Sequence, residues 1–306
     1  MDRTIDRRSF LKQGAAVGTA ALGLSVYGLG DLEAFAGRRG CRLGALVLVG
    51  DQLTALKQME KRMGRRFATT HHRLPWNNDL DNSFTRWSVQ TGHKPIVSWF
   101  ARTNKSAPAK WREIASGRED GWIERQARSL KRLGGRGYLC FHKEPEDEGT
   151  PNDWKAAYHR VRTIFDNTGV SGYKYLVVLT AATYNAGEAA MWLPNRYDGL
   201  GVDGYNRHRC RGVDWRSFRK IFAPSRSFAK ARGKKLYVIE AGCVERNPGE
   251  KAKWLRGARQ TIKAWPEIRA FSYNSENTDC NYLLTSSASS FKAFRAMGKD
   301  PYFRKR

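Results

Sequence analysis

Tyr138-Leu139-Cys140-Phe141-His142-Lys143-Glu144-Pro145-Glu146-Asp147-Glu148 is a short apolar run that ends abruptly in a histidine, a lysine and four acidic residues. A buried strand has this form where it delivers its last side chains into a polar cleft. Pro145 has no N–H to give a sheet ladder and biases its predecessor towards an extended backbone, so the strand should stop at Glu144 with the carboxylate aimed. Glu144 reads as a catalytic acid. The plainer alternative is an acidic loop that follows a strand, and the rest of the chain has to separate the two.

Outward from this stretch the chain repeats a rhythm of short apolar run, polar loop and amphipathic segment. The strand-like runs are Leu43–Val49, Arg66–Thr70, Pro95–Phe100, Gly137–Phe141, Tyr175–Leu179, Leu200–Tyr205, Lys235–Ile239 and Ile268–Ser272. Helical periodicity lies between them, as in Trp122, Ala127, Leu130 and Leu133, or Trp154, Tyr158, Val161, Ile164 and Phe165, with Gly134-Gly135 and Gly169 as stops. Eight such units predict an α/β chain folded as a (β/α)8 TIM barrel in one catalytic domain over residues 37–306. A doubly wound open sheet would require a glycine-rich phosphate turn after an early strand, and Gly50-Asp51-Gln52 is not one.

The strand ends of such a barrel collect at one face. They carry His71, His72 and Trp76, then Trp99 and Arg102, then His142 to Glu146, Tyr184 and Asn185, then Asp203, Tyr205 and Asn206, Glu240, and finally Tyr273 and Asn274. Glu240 ends the β-branched and aromatic run Lys235-Leu236-Tyr237-Val238-Ile239, and Glu is rarely buried without a partner or a task. Two carboxylates among aromatic faces are the equipment of glycoside hydrolysis. We therefore expect Glu144 and Glu240 to be catalytic, and His72, Trp76, Trp99, His142, Tyr184, Asp203, Tyr205 and Tyr273 to line a sugar-binding cleft. Adjacent histidines on a strand point to opposite faces, so His71 and His72 should not share a metal, and no cofactor is expected. Lys143 should point away from the cleft, as the neighbour of an inward residue.

The residues Phe141-His142-Lys143-Glu144-Pro145-Glu146 and Tyr237-Val238-Ile239-Glu240-Ala241-Gly242 together resemble glycoside hydrolase family 26, best known for β-mannanases. Trp111 to Gly117, Tyr197 to Asn206 and Ser289 to Phe294 extend the resemblance over the chain beyond residue 36. It implies a retaining mechanism with Glu144 as acid/base, Glu240 as nucleophile and Tyr205 as the hydroxyl that orients that nucleophile. Lys143 departs from the family's pattern, which places His directly before the acid/base.

The formal charge is +26, from 55 basic and 29 acidic residues. It implies an anionic neighbour or a strongly cationic surface, yet the basic residues are spread along the chain without a nucleic-acid-binding signature. Asp6-Arg7-Arg8-Ser9-Phe10-Leu11-Lys12, a modestly apolar run from Gly14 to Gly30 and Ala34-Phe35-Ala36 resemble a bacterial twin-arginine export signal over residues 1–36. These features predict a monomeric protein of the cell envelope or outside the cell, with the export machinery and a polysaccharide as partners, and no nucleic acid or lasting membrane insertion. A glycan-binding barrel without turnover and a basic envelope protein held by charge are the other classes considered. Of five cysteines, Cys210 and Cys243 are the expected disulfide pair, as both should follow neighbouring strands.

Overall fold

The computed structural model describes residues 40–208 and 210–303, so the expected export signal lies outside the described residues. Eight strands form a closed, all-parallel barrel in sequence order: β1 (Arg42–Leu48), β2 (Thr69–Leu74), β3 (Lys94–Trp99), β4 (Gly137–Phe141), β5 (Tyr173–Thr180), β6 (Gly199–Asn206), β7 (Leu236–Cys243) and β8 (Ile268–Glu276), with β8 pairing back onto β1. The outer helices are α1 (Gln52–Met63), α2 (Ser83–Gln90), α3 (Trp111–Ala115), α4 (Asp120–Leu133), α5 (Pro151–Thr168), α6 (Ala181–Ala186), α7 (Phe218–Ala231), α8 (Glu250–Ala264) and α9 (Ala288–Lys299). The expected (β/α)8 barrel is the observed fold.

Local chemistry sets the element ends. Thr150 caps α5 by accepting from the Asp153 N–H, Pro151 occupies its first turn, and Gly169 closes it in the left-handed conformation. The apolar residues divide by strand alternation. Ile96, Tyr138, Cys140, Leu176, Val178, Tyr237, Ile239 and Ala270 fill the barrel, while Trp99, Phe141, Val202, Phe271 and Tyr273 join the layer between sheet and helices.

Two departures from strict alternation build the site. In β7, Ile239 and Glu240 both face the barrel because the register to β6 shifts there, from Val202 opposite Val238 to Asp203 opposite Glu240. Without that bulge Glu240 would point into the helix layer. At the end of β4, His142 has φ 41° and Glu144 has φ 53°, both in the left-handed region. The expected extended backbone at Glu144 is not observed. Its N–H instead donates to the Val178 carbonyl of β5 at 2.8 Å, which anchors a conformation that costs a non-glycine residue on the order of 1 kcal/mol. The same kink turns His142 outward and Lys143 inward, the reverse of the expected orientation of Lys143.

The expected Cys210–Cys243 pair is also corrected. Cys210 is joined to Cys280, a bond between the β6–α7 and β8–α9 loops, while Cys243 is a buried thiol on the outer side of β7.

Candidate active site

The C-terminal strand ends open into a cleft of about 550 Å³ whose walls include Arg73, Phe100, Lys143, Glu144, Tyr205, Glu240, Glu276 and Tyr282. Glu240 sits on its floor, 1% exposed. Its Oε1 accepts from Arg73 Nε at 3.0 Å and lies 3.1 Å from Lys143 Nζ. Its Oε2 accepts from Arg73 Nη2, from the Tyr205 hydroxyl and, at 3.4 Å, from Asn274 Nδ2. Burial alone would favour the neutral acid, but Arg73, Lys143 and these hydrogen bonds hold Glu240 well below the ordinary carboxylate range. It is ionised throughout the neutral range.

Lys143 is the hub of the site. Its ammonium lies 2.7 Å from Asp203 Oδ2, 3.0 Å from Glu144 Oε2 and 3.1 Å from Glu240 Oε1, in a pocket that leaves the side chain 2% exposed. Burial works against its charge, and the three carboxylates overcome that and raise its pKa, so it stays protonated. An ammonium at this depth is sustained only by its partners, and the same ion pairs fix the carboxylates relative to one another.

His71 shares the inward face of β2 with Arg73. Its Nε2 pairs with Ser98 Oγ at 2.8 Å and its Nδ1 lies 3.8 Å from Glu240. Burial holds it down to about 3, so this histidine is neutral and adds no cation to the site.

The expected site residues separate into two groups. Glu144, Glu240 and Tyr205 line the cleft, and Asp203 stands beneath it against Lys143. His72, Trp76, Trp99, His142, Tyr184 and Tyr273 do not line it, and are corrected as cleft-lining residues. His72 faces outward with its ring 4.4 Å from Phe84. Trp76 and Trp99 stack on each other at 4.1 Å in the outer layer. The ring of His142 is buried, accepting at Nδ1 from the Ala101 N–H and Trp111 Nε1, each at 3.1 Å, and pairing through Nε2 with Glu148 at 2.9 Å. Tyr184 donates to the Gly201 carbonyl, and Tyr273 to that of Tyr282, both from buried positions. Their shared cause is alternation: each is the outward neighbour of an inward residue, or lies past a turn that buries it.

Arg73, Glu276, Phe100 and Tyr282 were missed. The expected β2 stopped at Thr70 and the expected β8 at Ser272, whereas these strands continue to Leu74 and Glu276. Counting in twos from His71 gives Arg73, and from Ser272 gives Asn274 and Glu276, so the signal was present in the alternation. Glu146 is excluded from the chemistry: its Oε1 accepts from the Thr180 N–H at 2.7 Å and Thr183 Oγ1 at 2.6 Å, tying the β4 loop to the start of α6.

The fold and site define a (β/α)8 barrel with one carboxylate just past the end of β4 and another within β7. No family model matches the chain. Endoglucanase H of Acetivibrio thermocellus is 23% identical over 294 residues, 89% of this chain and 31% of that relative. The chain therefore spans about a third of the length of that curated relative. Among solved structures, a family 26 β-mannanase of Bacteroides ovatus superposes with TM-score 0.65 at 16% identity, covering 88% of this chain and 91% of its own. A modular family 26 endo-β-1,4-mannanase of Cellulomonas fimi gives 0.62 at 15%, covering 89% and 73%. A family 128 endo-β-1,3-glucanase of Sorangium cellulosum gives 0.56 at 14%, covering 84% and 98%. The resemblance to family 26 expected from the sequence is met at the level of the fold.

Proposed function

We propose that this protein is a retaining glycoside hydrolase that cleaves O-glycosidic bonds in a β-linked polysaccharide, with Glu240 as nucleophile and Glu144 as acid/base. One observation carries the reading: a single ammonium, that of Lys143, touches both carboxylates. The two bridged oxygens are then at most roughly 6 Å apart, a closeness that favours direct attack by one carboxylate over a water held between the two. Glu240, ionised and aimed, attacks the anomeric carbon while Glu144 gives its proton to the leaving oxygen; Glu144 then takes a proton from the water that releases the sugar. The mannanase and glucanase relatives favour a neutral or modified β-glycan backbone as the polymer. The twin-arginine pattern at Arg7-Arg8 supports export to the envelope or beyond.

Incubation with a 2-deoxy-2-fluoro glycoside bearing a good leaving group, followed by peptide mass spectrometry, tests the mechanism. An adduct on the peptide containing Glu240 is expected. Turnover with inverted product configuration by NMR would sink it. A second reading, a glycan-binding barrel without turnover, is favoured by the near-complete enclosure of Glu240. It requires Glu240→Ala to leave binding intact and the parent protein to release no reducing sugar from any β-glycan tested. Export is checked by fusing residues 1–36 to a reporter, whose translocation should fail when Arg7 and Arg8 are both replaced by Lys.

A further inference from the structure

We infer that the cleft takes a glycan carrying an anionic substituent, and that Arg207 reads that anion on the sugar beside Glu240. The inference rests on the hydrolase reading and adds the substrate class to it. Arg207 follows β6 two residues after Tyr205, the hydroxyl that donates to Glu240, and lines the same cleft. Its guanidinium lies over the Tyr205 ring, 4.9 Å from the centroid, and its Nε donates to the Tyr282 hydroxyl at 3.2 Å. The group is thus held on one face and at one nitrogen. Its two terminal nitrogens make no hydrogen bond among the described residues, and the nearest carboxylate, Asp279, is 3.9 Å away and is also engaged by Arg211. A planar fork held still with its outer edge open is the geometry that binds a carboxylate or sulfate through two parallel N–H groups.

The surroundings would tolerate an anion. Asp279, the nearest carboxylate, would be its chief repellent and is itself engaged by Arg211, while the charge of Glu240 is offset by Arg73 and Lys143. Lys105 lines the same cleft, is exposed and makes no ion pair or hydrogen bond among the described residues. Such half-exposed cations attract through solvent, so their effect should weaken with salt. A neutral polysaccharide would gain nothing from an open arginine fork and an unpaired lysine in the same cleft.

The test compares matched substrates: a β-linked oligosaccharide bearing uronate groups, its carboxyl-reduced twin and a sulfated counterpart, each against the parent protein, Arg207→Gln and Arg207→Lys. The ratio of kcat/KM for the anionic over the neutral member is read within each variant, so partial unfolding does not imitate the effect. We expect a ratio of about 10 or more for the parent, falling about tenfold in Arg207→Gln, with Arg207→Lys between them. Whether the uronate or the sulfate gives the higher ratio identifies the anion. The ratio should fall as NaCl is raised. Equal rates on charged and neutral twins, insensitive to salt, overturn the inference and leave the hydrolase intact. Calorimetry with Glu240→Gln supplies the other arm. Binding of the anionic oligosaccharide that Arg207→Gln abolishes, without cleavage of any substrate by the parent, supports the anion reader and sinks the hydrolase. Absence of both binding and cleavage overturns both.

Discussion

Glu240 and Glu144 are bridged by one lysine and held in opposite ways. Glu240 lies within β7, 1% exposed, with five donor contacts shared between its two oxygens. Glu144 lies just beyond β4 on a left-handed backbone, 34% exposed, with the Lys143 ammonium as its ion-pair partner. The difference matches two tasks. A nucleophile must be ionised and aimed, which fixed donors in a water-poor floor provide. An acid/base must give and retake a proton within one cycle, so it needs access to water and few competing donors. Lys143 joins the two: it helps keep Glu240 charged and restrains Glu144 without enclosing it.

The largest effect should come from the carboxylates themselves. Glu240→Ala should lower kcat/KM by at least about 10⁴-fold on every substrate. Glu144→Ala should match that loss on a polysaccharide but lose far less on an aryl glycoside whose leaving group needs no proton. Steady-state kinetics on the two substrate types would break the comparison if the leaving group mattered to Glu240→Ala and not to Glu144→Ala.

Next is Lys143→Met, expected to cost about 100-fold in kcat/KM and to change its pH profile. Glu240 is held below the carboxylate range partly by Lys143. Losing the cation raises its pKa, so a larger share is protonated and unreactive at low pH. The acidic limb of kcat/KM should therefore move to higher pH, and an unmoved limb would separate Lys143 from the nucleophile.

Tyr205→Phe removes one of the donors to Glu240 while leaving the ring beneath Arg207. About a tenfold loss in kcat is expected, since the remaining donors persist. The smallest effect on activity belongs to Cys210→Ser. The Cys210–Cys280 bond ties together two loops on the Glu240 side of the cleft, and its loss should lower stability by about 2–4 kcal/mol in denaturant titrations. The change in kcat should stay within about threefold, because Glu240 is held from the strands rather than the loops.

Much of the Glu144 region was legible as sequence. Gly137–Phe141 was bounded correctly because it is uniformly apolar and flanked by glycine on one side and charge on the other. The helix stops at Gly134 and Gly169 were legible for the same kind of local reason. The Glu240 region was legible only in part. Glu240 stood out as an acid on a β-branched run and Asn274 as a strand-end residue, but Arg73 and Glu276, which complete the cluster, lie in strand extensions with polar or charged residues. Composition ends a strand at such residues; pairing with one neighbouring strand, β3 for Arg73 and β1 for Asn274 and Glu276, carries it on.

What the sequence alone determined, then, is the count of eight units, the closed parallel architecture and the placing of Glu144 just past β4 and of Glu240 on β7, though within the strand rather than at its end, since periodicity and local stop signals are properties of short segments. What only the tertiary structure decided is which way side chains point where alternation fails. The bulge in β7 turns Glu240 into the barrel, and the left-handed turn after Phe141 exchanges His142 for Lys143 at its centre. The turn is fixed by contacts to other strands, with Glu144 held by Val178 and Lys143 by Asp203, and the bulge is a matter of register between β6 and β7. Local propensity disfavours a non-glycine residue in the left-handed region, and such a conformation persists only when the surrounding structure overdetermines it.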